Sequence, residues 1–295
     1  MGRPSIPATP GSGTMAAVDL AHLLEDRRIA VDRALDRFLP AAEQPPAEIH
    51  AAMRFAALSP GKRLRPIVSL CIGELCDAPA EATLQAACAL ECVHTASLIL
   101  DDLPCMDDAT ERRGREPLHK AYSVETALLA SYGLLAEAFA RASALPQGGA
   151  LCGVLATAIG TRGLVFGQHL DLTAGGAPMT IRQLQEMHEH KAGALFVAAV
   201  QLPLLLAQAP PETVQALTAF ASKLGLAFQI SDDVLDAREP IEDENKSTFV
   251  TVQSEDEALR QIETLTQEAH EVLLPFGPKA EPLRQMTAYV ASRAR

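Results

Sequence analysis

Apolar residues recur at helical spacing along nearly the whole chain, and no stretch alternates as a half-buried strand would. Proline and glycine divide that pattern into helices expected at 16–38, 47–58, 62–76, 80–103, 118–144, 149–174, 180–206, 211–236, 253–273 and 280–293. Alanine and leucine dominate, tryptophan is absent and aromatics supply only 4% of the residues, a usage that favours helix over pleated sheet. Short joints such as LPQGG and AGGAPMT connect long helices, which makes sequence neighbours antiparallel. With 295 residues and 48% hydrophobic content, the expected fold is all-α. It is a single-domain bundle of about ten or more antiparallel helices running from residue 16 to 295.

The opening MGRPSIPATPGSGTM is rich in Pro, Gly, Ser and Thr without an apolar h-region, so residues 1–15 are expected to be a disordered leader. The longest apolar stretch, 195–209, is interrupted by Gln201, Pro203 and Gln208, and no membrane span is expected. A net charge of −12 argues against nucleic acid or an anionic membrane surface as the main partner, since both need a basic face. A phosphorylated small molecule stays open if the cations are locally concentrated. Six cysteines show neither a CxxC pair nor zinc-like spacing with histidine, and read as core-filling thiols in a reducing cytoplasm.

Residues 94–115 read HTASLILDDLPCMDDATERRGR, an apolar helix that ends in Asp101, Asp102, Asp107 and Asp108 and then Arg112, Arg113 and Arg115. Pro104 must bend or end that helix, which lets Asp107 swing back toward Asp101. His94 lies two turns ahead of Asp101 on the same face. A second cluster, FQISDDVLDAR, holds Asp232, Asp233 and Asp236. Asp232 and Asp236 share a helix face, where like charges weaken a bare helix, so something must offset them. Magnesium suits the task, because it takes one or two carboxylates together with water and phosphate oxygens. A solvated helix end with local arginine pairing is the alternative for either cluster taken alone. Both helices are apolar just before their aspartates, so two such tips facing each other would enclose a central apolar cavity under a metal-binding rim. SPGKRLRP adds Lys62, Arg63 and Arg65 at a helix start, a natural anion site.

GKRLRP, DDLPCMDDATERRG, GQHLDL, KAGALF and FQISDDVLD make the chain resemble the trans-isoprenyl diphosphate synthases, the polyprenyl synthetase family, from about residue 49 to the C-terminus. The resemblance implies the isoprenoid synthase fold and a prenyltransferase of the geranylgeranyl or farnesyl diphosphate synthase type. Its reaction is magnesium-dependent, head-to-tail condensation of isopentenyl diphosphate with a dimethylallyl, geranyl or farnesyl diphosphate through an allylic cation. By that similarity Asp101, Asp102, Asp107, Asp232, Asp233 and Asp236 would hold about three Mg2+ ions. Lys62, Arg65, His94 and Arg113 would grip isopentenyl diphosphate, and Arg112, Lys191, Gln229 and Lys246 the allylic diphosphate. Asp101, Asp107, Arg112, Lys191, Gln229 and Asp232 would carry the catalysis, and a homodimer is implied.

Ala96 and Ser97 lie about one turn before Asp101 and are both small, so they are expected to form the floor that sets chain length. The expected product is longer than C15, with geranylgeranyl diphosphate favoured. A farnesyl diphosphate synthase, or a non-catalytic subunit of a hetero-oligomeric synthase, is the alternative. A terpene cyclase is opposed by GKRLRP and RRG, which imply an isopentenyl site. Four departures from the family pattern bear on rate and allylic affinity: Ala192 in place of threonine, Tyr132 in LASYGLL, Leu100 in place of histidine, and a short loop after Asp236 whose one lysine is Lys246.

Overall fold

The computed structural model describes residues 20–238 and 247–294. The leader expected at 1–15 and most of the polar loop after Asp236 lie outside the described residues. Fourteen α-helices are described: α1 (Leu20–Phe38), α2 (Ala47–Ala57), α3 (Leu64–Leu75), α4 (Ala80–Asp101), α5 (Leu118–Ala121), α6 (Val124–Ser143), α7 (Gly148–Ile159), α8 (Leu164–Ala174), α9 (Ile181–His188), α10 (Ala194–Leu206), α11 (Pro211–Asp236), α12 (Phe249–Val252), α13 (Glu255–Leu273) and α14 (Glu281–Arg293). Among the described residues the β structure is one isolated bridge, between Arg112 and Arg115.

Helix α4 is predominantly apolar and mostly buried between Thr83 and Ile99, as a helix at the centre of a bundle must be. It packs against α1, α2, α3, α6, α7 and α10, and its Leu90 and Cys92 are fully buried with Phe38, Phe196 and Phe220 in the main core. A smaller core joins Leu184 and Met187 of α9 to Ile230 and Val234 of α11, Phe249 of α12 and Ile262 of α13. That second core fixes the far end of α11, where the second aspartate cluster sits.

Several expected helices are divided. The Ser123 hydroxyl accepts from the Thr126 N–H and starts α6 afresh after the four-residue α5. The turn at 160–163 separates α7 from α8. By length and composition, Ala80–Asp101 and Gly148–Ala174 could each cross a bilayer. The first is the core helix α4. The second is broken into pieces of 12 and 11 residues, each about 18 Å long or less, short of the ~30 Å hydrocarbon core. Between α9 and α10 the chain makes one π-helical turn, Glu189–Gly193, which the expected continuous helix at 180–206 does not contain.

Candidate active site

A cavity of about 810 Å3 opens between the C-terminal ends of α4 and α11. On α4 it is lined by Glu91, His94, Ser97, Leu98 and Asp101, which share one face at three- and four-residue steps. On α11 it is lined by Phe228, Gln229, Asp232, Asp233 and Asp236. Lys62, Arg63 and Arg65 join from the start of α3, Arg112 and Arg113 from the segment after the first aspartates, and Lys191 and Ala192 from the π turn. Asp101 of the first cluster, the three aspartates of the second and cations of both basic segments therefore face one space.

Beyond Pro104 the chain curls back: the Asp107 N–H donates to the Asp101 carbonyl at 2.9 Å, and the Asp108 N–H to the Leu103 carbonyl at 3.1 Å. Asp107 itself is exposed beside the mouth. Asp102 is buried and takes hydrogen bonds from Arg112, one of them from Nε at 2.8 Å, so its carboxylate is committed to that guanidinium. ERRGR forms a tight turn. Arg112 and Arg115 exchange backbone hydrogen bonds of 2.8 and 3.2 Å around Arg113 and Gly114, whose φ values of 56° and 75° are those of a type I′ turn. Arg113 then lies across Gly61, where an added Cβ would stand 2.6 Å from its Nη1. The missing side chain at 61 brings the two basic segments together.

The second cluster is anchored differently. Asp232 Oδ1 accepts from Arg293 Nη2 at 2.5 Å, and the same guanidinium stacks 4.5 Å from the Phe228 ring centroid. Asp233 Oδ2 accepts the Phe249 N–H at 2.8 Å and lies 3.8 Å from His188 Nε2, which ties the returning chain to α11. Asp236 is exposed at the rim. Lys191 forms an ion pair with Asp171 of α8. Gly167 lets α8 approach that closely, since a Cβ there would meet the Lys191 nitrogen at 2.1 Å. The π turn turns Lys191 and Ala192 to the large cavity and Glu189, His190 and Gly193 to a separate one of about 410 Å3. Ser247 lines the large cavity, whereas Lys246 is outside the described residues.

Burial shapes the charges here. It pushes Asp101 up from 3.8 to about 6, with Lys191 opposing the shift and Asp107 adding to it. Burial, reinforced by Arg65 and Arg113, holds His94 well below its ordinary value and keeps it neutral. A guanidinium only donates, so the Arg65 Nη1 to His94 Nε2 contact of 3.2 Å makes Nε2 the acceptor. Arg65 is lowered by burial to about 10 and stays charged at neutral pH. Among the described residues no three acidic, histidine or cysteine groups converge on one metal position. Magnesium fits such a donor set, because it is held by one or two carboxylates and completed by water and diphosphate oxygens. Asp101 and Asp232 on two walls of the cavity meet that requirement.

Ala96 is fully buried but outside the cavity lining, its carbonyl accepting from Ser131 Oγ at 3.0 Å, while Ser97 does line the cavity. Tyr132 lies on the outer surface of α6 at 69% exposure, outside the cavity lining. Sequence reasoning assigned no part to Asp171, Glu91 or Arg293. Asp171 had a local signal in GQHLDL; Arg293 and Glu91 had none.

A helical bundle that gathers carboxylates from two helix ends and two basic segments around one pocket has the features expected of a synthase acting on diphosphates. Residues 46–273 match the polyprenyl synthetase family, and the chain belongs to it. It is 36% identical over 299 residues to geranylgeranyl pyrophosphate synthase 3, chloroplastic, of Arabidopsis thaliana, which covers 94% of this chain and 82% of that one. It is 35% identical to the heterodimeric geranylgeranyl pyrophosphate synthase large subunit 2 of the same plant, over 90% of this chain and 74% of the relative. The crystal structure of an FPP/GFPP synthase from Zymomonas mobilis superposes with a TM-score of 0.86 at 34% identity, covering 94% of this chain and all of that one. The protein is a prenyltransferase that elongates isoprenoid chains.

Proposed function

We propose that the enzyme joins isopentenyl diphosphate to an allylic diphosphate with magnesium and releases geranylgeranyl diphosphate. The observation that carries this reading is the single cavity shared by Asp101, Asp232, the Lys62–Arg65 segment and Arg112 and Arg113. Lys62, Arg65 and Arg113, with neutral His94 orienting Arg65, bind isopentenyl diphosphate. Arg112, Lys191 and Gln229, together with Lys246, bind the allylic diphosphate. Asp101, Asp107, Asp232 and Asp236 would hold magnesium, which would supply positive charge to the departing diphosphate.

Lys191 and Arg112 donate to the leaving oxygens as the C1–O bond breaks and charge collects on them. The isopentenyl double bond attacks the resulting allylic C1 cation, and the departing diphosphate takes the proton that restores a double bond. Leu98, Leu195 and Phe228 supply the apolar lining that keeps water from the cation. The small Ser97 leaves room for a chain beyond C15, and the name of the Arabidopsis relative supports C20. Incubation with magnesium, isopentenyl diphosphate and each allylic starter tests this. A C20 diphosphate on chromatography is the expected product; a C15 end product, a cyclic hydrocarbon or no coupling contradicts it.

A homodimer suits the outer surface, where Leu129 and Tyr132 of α6 and Val165 and Leu172 of α8 are 43–69% exposed. The two carboxylate clusters on one cavity favour a catalytic chain over a non-catalytic subunit. Cytoplasmic residence fits the six free thiols, of which Cys105 is exposed, and fractionation of cells expressing the tagged full chain tests it.

A further inference from the structure

Arg63 sits between two cations assigned to substrate, yet its own side chain is only 1% exposed. Its φ of 48° is left-handed, and although Arg63 borders the cavity together with Lys62 and Arg65, its guanidinium is taken up by protein partners. Nε donates to Asp32 Oδ1 at 2.8 Å, Nη1 to Glu91 Oε1 at 2.8 Å, and Nη2 to the carbonyls of Ala57 and Ser59, each at 2.8 Å. Asp32 Oδ2 is itself held by Arg28 Nη1 at 2.7 Å. Four of the five guanidinium N–H groups are thus committed, and the fork clamps α1, the end of α2, the turn at 57–61 and α4 together.

Glu91 is the unexpected member. It lines the same cavity as Lys62, Arg65, His94 and Arg113, one turn before His94 on α4, and its side chain is 3% exposed. A carboxylate in the wall of an anion pocket repels a diphosphate, and burial leaves that repulsion poorly screened.

Resting on the substrate assignment above, we propose that Arg63 is the positioning residue of the isopentenyl diphosphate subsite, neutralising Glu91 in its wall and pinning the turn that presents Lys62 and Arg65. Arg63 does not touch the substrate. Its charge and its four hydrogen bonds make the neighbouring cations effective.

The test measures KM for each substrate, kcat, and calorimetric binding of inorganic pyrophosphate for the wild type, Arg63→Met, Glu91→Gln and the double variant. Arg63→Met is expected to raise the isopentenyl diphosphate KM about tenfold or more, through the uncompensated Glu91 charge, with the allylic KM within about twofold. Adding Glu91→Gln to Arg63→Met is expected to recover most of that loss. A merely structural role would move both KM values and the melting temperature together, with no selectivity for isopentenyl diphosphate. Equal rises in both KM values, or no recovery in the double variant, overturn the proposal. Should Arg63→Met not fold, Glu91→Gln alone decides: a lower isopentenyl diphosphate KM supports the proposal, and an unchanged or higher one overturns it. A wild type that couples no substrates defeats the functional reading instead, whereas a coupling wild type with indifferent variants defeats only this inference.

Discussion

At the scale of residues, Asp101 and Asp102 are adjacent in sequence and opposite in circumstance. Asp101 faces the cavity with its pKa raised to about 6, chiefly by burial. Magnesium bound there as proposed would compete with a proton, so its affinity should fall about tenfold per pH unit below about 6 and lose that slope in Asp101→Asn, as read by calorimetry between pH 5 and 8. Because the folded value exceeds the ordinary 3.8, protonated Asp101 favours the metal-free fold: that stability is complete below 3.8 and is lost as pH rises through about 6. Asp102 is buried and holds Arg112. Asp102→Asn should therefore cost about tenfold in kcat, against a hundredfold or more for Asp101→Asn, in steady-state assays. The sequence showed two clustered aspartates, but consecutive helical residues point about 100° apart, and which one faces the site depends on neighbours the local pattern does not contain.

At the scale of elements, α11 matches its expected bounds because Pro211 and the acidic run mark its ends. The breaks at Ser123 and 160–163 were legible only as weak polar or glycine punctuation inside apolar runs. The π turn at Glu189–Gly193 lies where α8 crosses closely at Gly167, a long-range contact that the local pattern does not contain. Gly167→Val should push α8 off Lys191, destabilise the fold by about 1–3 kcal/mol and raise the allylic KM, measured by thermal melting and kinetics. On α4, Ser97 lines the cavity and Ala96 does not. Ser97→Phe should accordingly shorten the product to C15, and unchanged chain length on chromatography would remove Ser97 from the floor.

At the scale of the whole molecule, an acidic chain concentrates Lys62, Arg65, Arg112, Arg113 and Lys191 on one cavity. The quoted motifs made that convergence legible as a family likeness. Arg293, 61 residues from its partner Asp232, was not legible, because its role depends on where α14 packs. The homodimer proposed on the exposed surface of α6 and α8 is tested there: Leu129→Glu with Tyr132→Glu should shift the sedimentation mass from dimer to monomer, and a wild type already monomeric would contradict it. In the function proposed above, the two carboxylate clusters serve one diphosphate. Calorimetric titration of inorganic pyrophosphate with magnesium into the wild type, Asp101→Asn, Asp232→Asn and the double variant tests it directly. Magnesium-dependent binding that either single substitution largely abolishes, with little further loss in the double variant, is the predicted result; losses that simply add, or binding that survives either substitution, would contradict it.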